Sequence, residues 1–291
     1  MILNVSGRCD IIAFYSDWFF NRLKEGFFDV RNPFNPRLVS RIYKEDIDMY
    51  VFCTKNPIPS LDYISSIDKP ILYMVTITGY KEDIEPGVKH KDKIVEAVKK
   101  LADIIGPENV YLRYDPILLN DKYTIYYHEK ALDKLMNELK NSISKVIFSF
   151  MDNYKNTKEN ENILKAHEPK EDELIYLQKV FTNLEEKYKI PIEACSEDKY
   201  LSYGFKRGIC VSQKLAFEKT GKVFPLWKER DCLCAKIVDI GVYNTCMHYC
   251  KYCYANFNEK SIKENVLLHD KNSSLLIGSL KDDDIIKRRI D

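Results

Sequence analysis

Long apolar runs are missing from this 291-residue chain. No window approaches the length needed to cross a bilayer, and the opening Met1-Ile-Leu-Asn-Val-Ser-Gly-Arg8 carries no basic stretch ahead of an apolar one. Membrane-spanning and exported classes are therefore set aside, and the expected location is cytoplasmic. Net charge is nearly absent as well: 45 Lys and Arg face 44 Asp and Glu, for a formal +1. No broad basic field exists to capture a nucleic-acid duplex, although a local groove leaves nucleic acid open as a substrate. The five histidines show no HxxxH or HxH spacing, and no repeat, heptad or low-complexity block occurs. What remains is a globular composition, 45% hydrophobic and 31% charged, in a chain of a length that α/β barrels form as one domain.

Cysteine is plentiful by contrast. Nine are present, an odd number, and seven fall between Cys195 and Cys253 in clustered spacings. In a chain without an export signal, clustering argues for metal ligation over disulfides. The tightest group is Cys246-Met-His-Tyr-Cys250-Lys-Tyr-Cys253-Tyr254. Three convergent thiolates can hold three irons of a 4Fe-4S cluster and leave the fourth iron open for chemistry. Zinc sites more often show paired CxxC or Cys/His spacings and four ligands. Cys195, Cys210, Cys232 and Cys234 form a second candidate set, suited to an additional iron–sulfur cluster or a tetrahedral zinc, with ordinary buried thiols as the alternative.

Strand-length apolar runs alternate with helix-period segments, the pattern of βα units around a parallel sheet. Six strands are expected, Ile2 to Val5, Met49 to Cys53, Ile71 to Ile77, Val110 to Tyr114, Val146 to Phe150 and Pro191 to Ala194. Helices are expected from a Ser16 cap to Gly26, over Ile94 to Ile105 before Gly106-Pro107, over Tyr126 to Lys140, and over Leu174 to Tyr188. Asn32 to Pro36 reads as a turn-bearing connection, 155–169 as a polar loop or short helix, and the basic and acidic runs after Lys281 as a solvated end. The strand ends carry polar groups: Arg8, Cys9 and Asp10; Cys53, Thr54 and Lys55; Thr76 and Thr78; Arg113 and Asp115; Ser149; Glu193. Such folds place their sites there, although strand ends are also simply solvated.

Lys55-Asn-Pro57, Thr76-Ile-Thr78, Asp83-Ile-Glu-Pro86 and Val110-Tyr-Leu-Arg113-Tyr-Asp115-Pro-Ile117 resemble, in order and spacing, the barrel of spore photoproduct lyase and its relatives in the radical S-adenosylmethionine (SAM) superfamily. The cysteine triplet, with Tyr252 before its last member, resembles their cluster loop. Over nearly its full length, from Asn4-Val-Ser-Gly-Arg8 through Asp239-Ile-Gly-Val-Tyr243 to the triplet, the chain is also similar to a bacterial family termed domain of unknown function 1848. The resemblance implies an α/β fold with a partial (βα)6 TIM-like barrel over 1–194 and a cysteine-rich segment, 195–291, folding back over its mouth. Two departures stand out. The triplet arrives at residue 246 instead of following the first strand, and Thr54 and Lys55 stand where many relatives place a glycine-rich segment after the second.

The implied activity is reductive cleavage of SAM by a 4Fe-4S cluster on Cys246, Cys250 and Cys253, giving a 5′-deoxyadenosyl radical that attacks a substrate not readable from sequence. An electron donor such as ferredoxin or flavodoxin would be the partner. Lys55 and Arg113 are the cations for the SAM carboxylate, with Thr76 beside them and Asp115 to orient Arg113 or accept a ribose hydroxyl. A buried Arg113–Asp115 pair of purely structural value is the competing reading. Cys9 and Cys53, at strand ends, are candidates to donate a hydrogen atom to a substrate radical, or are small core residues. From a different class, the alternative is a non-catalytic iron–sulfur or zinc protein serving structure or electron transfer.

Overall fold

Period-two alternation sorts each strand's side chains between two faces, and here it does so almost without exception. The computed structural model describes residues 1–152, 155–228 and 232–290. Its strands are β1 (Ile2–Asn4), β2 (Phe27–Arg31), β3 (Leu38–Tyr43), β4 (Met49–Thr54), β5 (Ile71–Thr76), β6 (Val110–Ile117), β7 (Lys145–Phe150), β8 (Ile192–Cys195), β9 (Lys206–Gly208), β10 (Ile237–Asp239) and β11 (Ile285–Arg288). The helices are α1 (Ile11–Phe14), α2 (Ser16–Glu25), α3 (Lys91–Ile105), α4 (Ile125–Leu139), α5 (Glu161–Leu164), α6 (Glu171–Tyr188), α7 (Gln213–Thr220) and α8 (Glu259–Leu267). Eight strands form one sheet in the order β10-β1-β4-β5-β6-β7-β8-β9, every pairing parallel. The fold is thus α/β, and all eight strands present their C-terminal ends at one edge. No helix among the described residues is long and apolar enough to cross a membrane.

One face of the sheet, carrying Leu3, Tyr50, Phe52, Tyr73, Leu112, Tyr114, Val146 and Phe148, packs against the helices. Trp18 and Phe19 of α2, Val98 and Leu101 of α3, Leu132 and Met136 of α4, and Leu177 and Phe181 of α6 complete that core. Full burial of each such side chain contributes about 1.5–3 kcal/mol. The second face reads in two tiers. Its lower tier is apolar, with Ile2, Met49, Val51, Leu72, Met74, Tyr111 and Ile147 packed on Val211, Ala216, Phe224 and Ala235 of the segment between β9 and β10. By the same alternation its upper tier is polar, with Asn4, Cys53, Thr76, Arg113, Ser149, Cys195 and Asp239 at the strand ends.

The six expected strands and four expected helices exist, with ends shifted by a few residues. Ser16 does not cap α2: its hydroxyl donates to the Pro59 carbonyl, and Gly26 at φ +87° ends the helix. Three further strands, β2, β3 and β11, make a separate small sheet in the order β11-β3-β2. The end expected to be solvated after Lys281 is exposed, and it is also tied down, because β11 pairs with β3 and Arg31 bridges to Asp284. Short β9 and β10 are the edge strands of the main sheet, although both lie beyond residue 195. Three residues each, they give too short a pattern to be read without their neighbours.

Candidate functional site

The cysteine triplet reaches the polar edge of the sheet because it follows β10, which pairs with β1. Left-handed backbone at Asn244 (φ +56°) and Tyr249 (φ +53°) turns the loop tightly. It is then fastened to the connection between β5 and α3 by main-chain hydrogen bonds. Gly87 N–H donates to the His248 carbonyl and Lys251 N–H to that of Ile84, both at 2.9 Å. A side chain at position 87 would collide with the Met247 carbonyl and the His248 backbone, so close approach requires glycine here.

Glu85 locks the same contact with charge. It is fully buried and accepts hydrogen bonds from Lys55 Nζ (2.8 Å), Lys91 Nζ (2.5 Å), Thr78 Oγ1 (2.8 Å) and the hydroxyl of Tyr252 in the cysteine loop. Burial alone would raise its carboxyl, but the two lysines outweigh that and hold it at about 2. Lys55 Nζ also lies 5.6 Å from the Tyr252 ring centre, and the Cys250 sulfur contributes to raising its pKa. Asp10 binds the other side of the loop. One oxygen receives Ala13 N–H, capping α1; the other receives Lys55 N–H at 2.7 Å and meets His248 Nε2 at 2.8 Å.

Cys246, Cys250 and Cys253 lie within electrostatic reach of one another, and burial raises all three thiols, Cys250 to about 12. Soft thiol donors from one tight loop, beside a cation, suit an iron–sulfur cluster by their chemistry. Among the described residues no group of three or more His, Cys, Asp or Glu side chains is arranged to hold a metal ion.

Arg113 and Asp115 pair with each other, and Ser149 donates to Asp115. Burial would raise the Asp115 carboxyl, yet Arg113 and Ser149 hold it below the usual range. Arg113 also hydrogen-bonds the Cys53 thiol, which burial raises to about 11. Thr76 stands on the same face with its side chain half-buried. Cys9 is buried beside Thr245 and Val242, against the start of the cysteine loop, in the core cluster that also contains Cys246. At the sheet's edge Asp239 accepts from Arg8 Nε at 3.0 Å and from Gly241 N–H at 2.7 Å, joining the ends of β1 and β10.

Cys195, at the end of β8, and Cys210, just after β9, have their sulfurs 3.6 Å apart. Cys210 also contacts Cys234, and Cys234 contacts Cys232. The hydrogen bond from Cys210 lowers the Cys195 thiol to about 7 and that of Cys234 to about 5, while Cys210 itself is raised.

A family model described as Domain of unknown function (DUF1848) matches residues 2–255. The chain belongs to this family. The matched stretch contains all nine cysteines and both thiol groups, and it ends before α8 and β11. No curated protein matches the chain.

Glu85 and Lys91 are not among the site residues that the sequence offers; Asp10 is legible there only as a polar strand end, and His248, which its place in the loop suggests is solvent-facing, is buried. The signal available for Glu85 is its place in Asp83-Ile-Glu-Pro86, and Lys91 becomes visible only once distant segments meet. Glu197 is a further omission. Buried after β8, it accepts Phe150 N–H at 2.6 Å, and burial raises its carboxyl to about 7. A carboxyl raised in the folded state costs stability as pH climbs from about 4.3, the unfolded value, through about 7, by up to about 1.4 kcal/mol per pH unit. Glu197→Gln is therefore expected to be neutral at about pH 4 and stabilising at about pH 8 in thermal unfolding. Equal shifts at both pH values would contradict this.

Proposed function

We propose that this chain is a radical SAM enzyme whose SAM-binding 4Fe-4S cluster is held by Cys246, Cys250 and Cys253. The observation that carries the reading is the meeting of the triplet's loop with Lys55, Glu85 and Asp10 at the C-terminal edge of an all-parallel sheet, Tyr252 reaching Glu85 across 167 residues of sequence and His248 reaching Asp10 across 238. When bound, a cluster with one open iron supplies reductive cleavage of SAM to a 5′-deoxyadenosyl radical. The chain's own residues bind and orient. Lys55, fixed by Glu85, places a positive charge beside Cys250, and Tyr252 ties the loop to the same carboxylate. Arg113, Asp115, Ser149 and Thr76 line the polar tier where a substrate would lie, and the apolar tier beneath excludes water.

In this reading the sheet curls as a partial (βα)6 barrel around the segment between β9 and β10, and residues 195–291 complete it with the cluster loop. Counting from β10 as the cluster strand, β1 takes second place. Ser6-Gly7-Arg8, rather than Thr54-Lys55, then stands where relatives in the superfamily receive the SAM amino group.

Anaerobic purification with iron and sulfide counting, then dithionite reduction with SAM, tests the proposal. Iron, sulfide and 5′-deoxyadenosine are expected together. A colourless, zinc-loaded chain would sink it, and iron without SAM cleavage would favour the electron-carrier alternative.

A further inference from the structure

The small sheet β11-β3-β2 has one covered edge and one open edge. On the covered side β2 is met by the chain around Leu275, where Asp29 N–H donates to the Ser274 carbonyl at 3.1 Å. The open side is β11. In its parallel ladder with β3, Ile285 N–H donates to the Arg37 carbonyl and Arg289 N–H to that of Arg41. Alternation then turns the N–H and C=O groups of Ile286, Arg288 and Ile290 outward. They have no main-chain partner among the described residues. Every residue of β11 is exposed, and so is Ile290, which leaves the side chains of Ile285, Ile286 and Ile290 in water beside an unpaired edge. An exposed apolar edge is a template for another strand, and proteins ordinarily block it with charge.

The charges here are ordered so that they complement a copy of the same strand. In Lys281-Asp-Asp-Asp284-Ile-Ile286-Lys-Arg-Arg289-Ile290 an acidic run precedes the two isoleucines and a basic run follows them. Laid antiparallel on its own copy with Ile286 opposite Ile286, the strand sets Asp283 opposite Arg289, Asp284 opposite Arg288 and Ile285 opposite Lys287, and symmetry makes each of these pairs occur twice. The same register suits the main chain, because Ile286, with N–H and C=O both outward, becomes the hydrogen-bonded pair at the axis. On the other face the two Ile285 side chains meet diagonally beneath the Lys287 stems. Parallel pairing in register would instead set acid on acid and base on base. Arg288 already holds Glu45 and Asp46, and Asp284 holds Arg31, so these side chains are fixed before a copy arrives, and the pair between Asp283 and Arg289 is the one that the contact adds.

We propose that β11 pairs antiparallel with β11 of a second copy of this chain about a two-fold axis at Ile286, joining two three-stranded sheets into one continuous sheet. The surface lies beyond residue 255, where the family match ends, and it is independent of the cysteine loop.

Sedimentation equilibrium of the full chain over a range of concentrations tests this, with a reversible monomer–dimer equilibrium expected. Asp283→Arg and Arg289→Asp should each weaken dimerisation at least about tenfold, since the altered pair occurs twice. Mixed with each other, these two variants should associate as a heterodimer at least as tightly as wild type, because each supplies the charge that the other lacks. Ile286→Pro should abolish the dimer and leave the far-UV circular dichroism unchanged, since Ile286 gives no N–H to β3 and an edge strand accepts proline at such a position. A chain that is monomeric at every concentration reached would overturn the proposal. So would a dimer that survives both charge reversals, and failure of the mixed variants to associate would overturn the antiparallel register.

Discussion

Cys250→Ala is expected to reduce 5′-deoxyadenosine formation to the level of a blank without enzyme and to remove about four irons per chain. Of the three triplet cysteines, Cys250 is the one whose thiol Lys55 lowers most directly against the effect of burial. Three thiolates are the fewest that can hold a cubane with one open iron. The neighbouring His248 gives Nε2 to Asp10 at 2.8 Å and keeps a buried Nδ1 without a partner among the described residues. Cys53→Ser provides the control, since Cys53 stands on β4 beside Arg113 and outside the triplet and should leave the iron count unchanged. Retention of full iron and SAM cleavage by Cys250→Ala would refute the assignment of the triplet.

Glu85→Gln is expected to destabilise the protein by about 3–5 kcal/mol, because it leaves two lysine charges facing a neutral amide in a buried site. For a chain of this size that corresponds to a fall in Tm of roughly 5–8 °C. The substitution preserves shape but supplies an NH2 group where two ammonium groups and two hydroxyls now donate. Removing Lys91 as well should recover part of the loss, which a double-mutant cycle would read as coupling. The pH dependence has a definite sign. With a folded value of about 2, below the ordinary carboxylate range, Glu85 stabilises the fold fully above about pH 4.3 and loses its contribution as pH falls toward 2. The wild-type advantage over Glu85→Gln should shrink over that acid window. A Tm within about 2 °C of wild type at neutral pH would show that the buried pairs add little.

Glu85→Gln should also loosen the cysteine loop, since Tyr252 loses its charged acceptor. Iron occupancy measured after a short incubation above room temperature should therefore fall earlier than global unfolding does. This separates a positioning role from a merely structural one.

Local pattern alone specified much of this protein. Apolar periodicity located the six strands β1, β4, β5, β6, β7 and β8 and the helices α2, α3, α4 and α6, because period and stop signals such as Gly26 and Gly106-Pro107 are properties of adjacent residues. The thiol-rich character of the C-terminal third, and the polar strand ends at Lys55, Arg113 and Asp115, were legible for the same reason. Tertiary structure alone decided how these parts meet. Three-residue β10 has no pattern of its own, yet by pairing with β1 it delivers Cys246, Cys250 and Cys253 to the sheet's edge. Glu85 reads in sequence as one acidic residue among 44 Asp and Glu, and becomes a hub only when Lys55, Lys91 and Tyr252 arrive from three directions. Arg113 meets Asp115 and the thiols of Cys53, Cys195 and Cys210 only in the folded chain. Pairing between distant segments depends on the summed packing of the whole sheet, and no short stretch of sequence contains that sum.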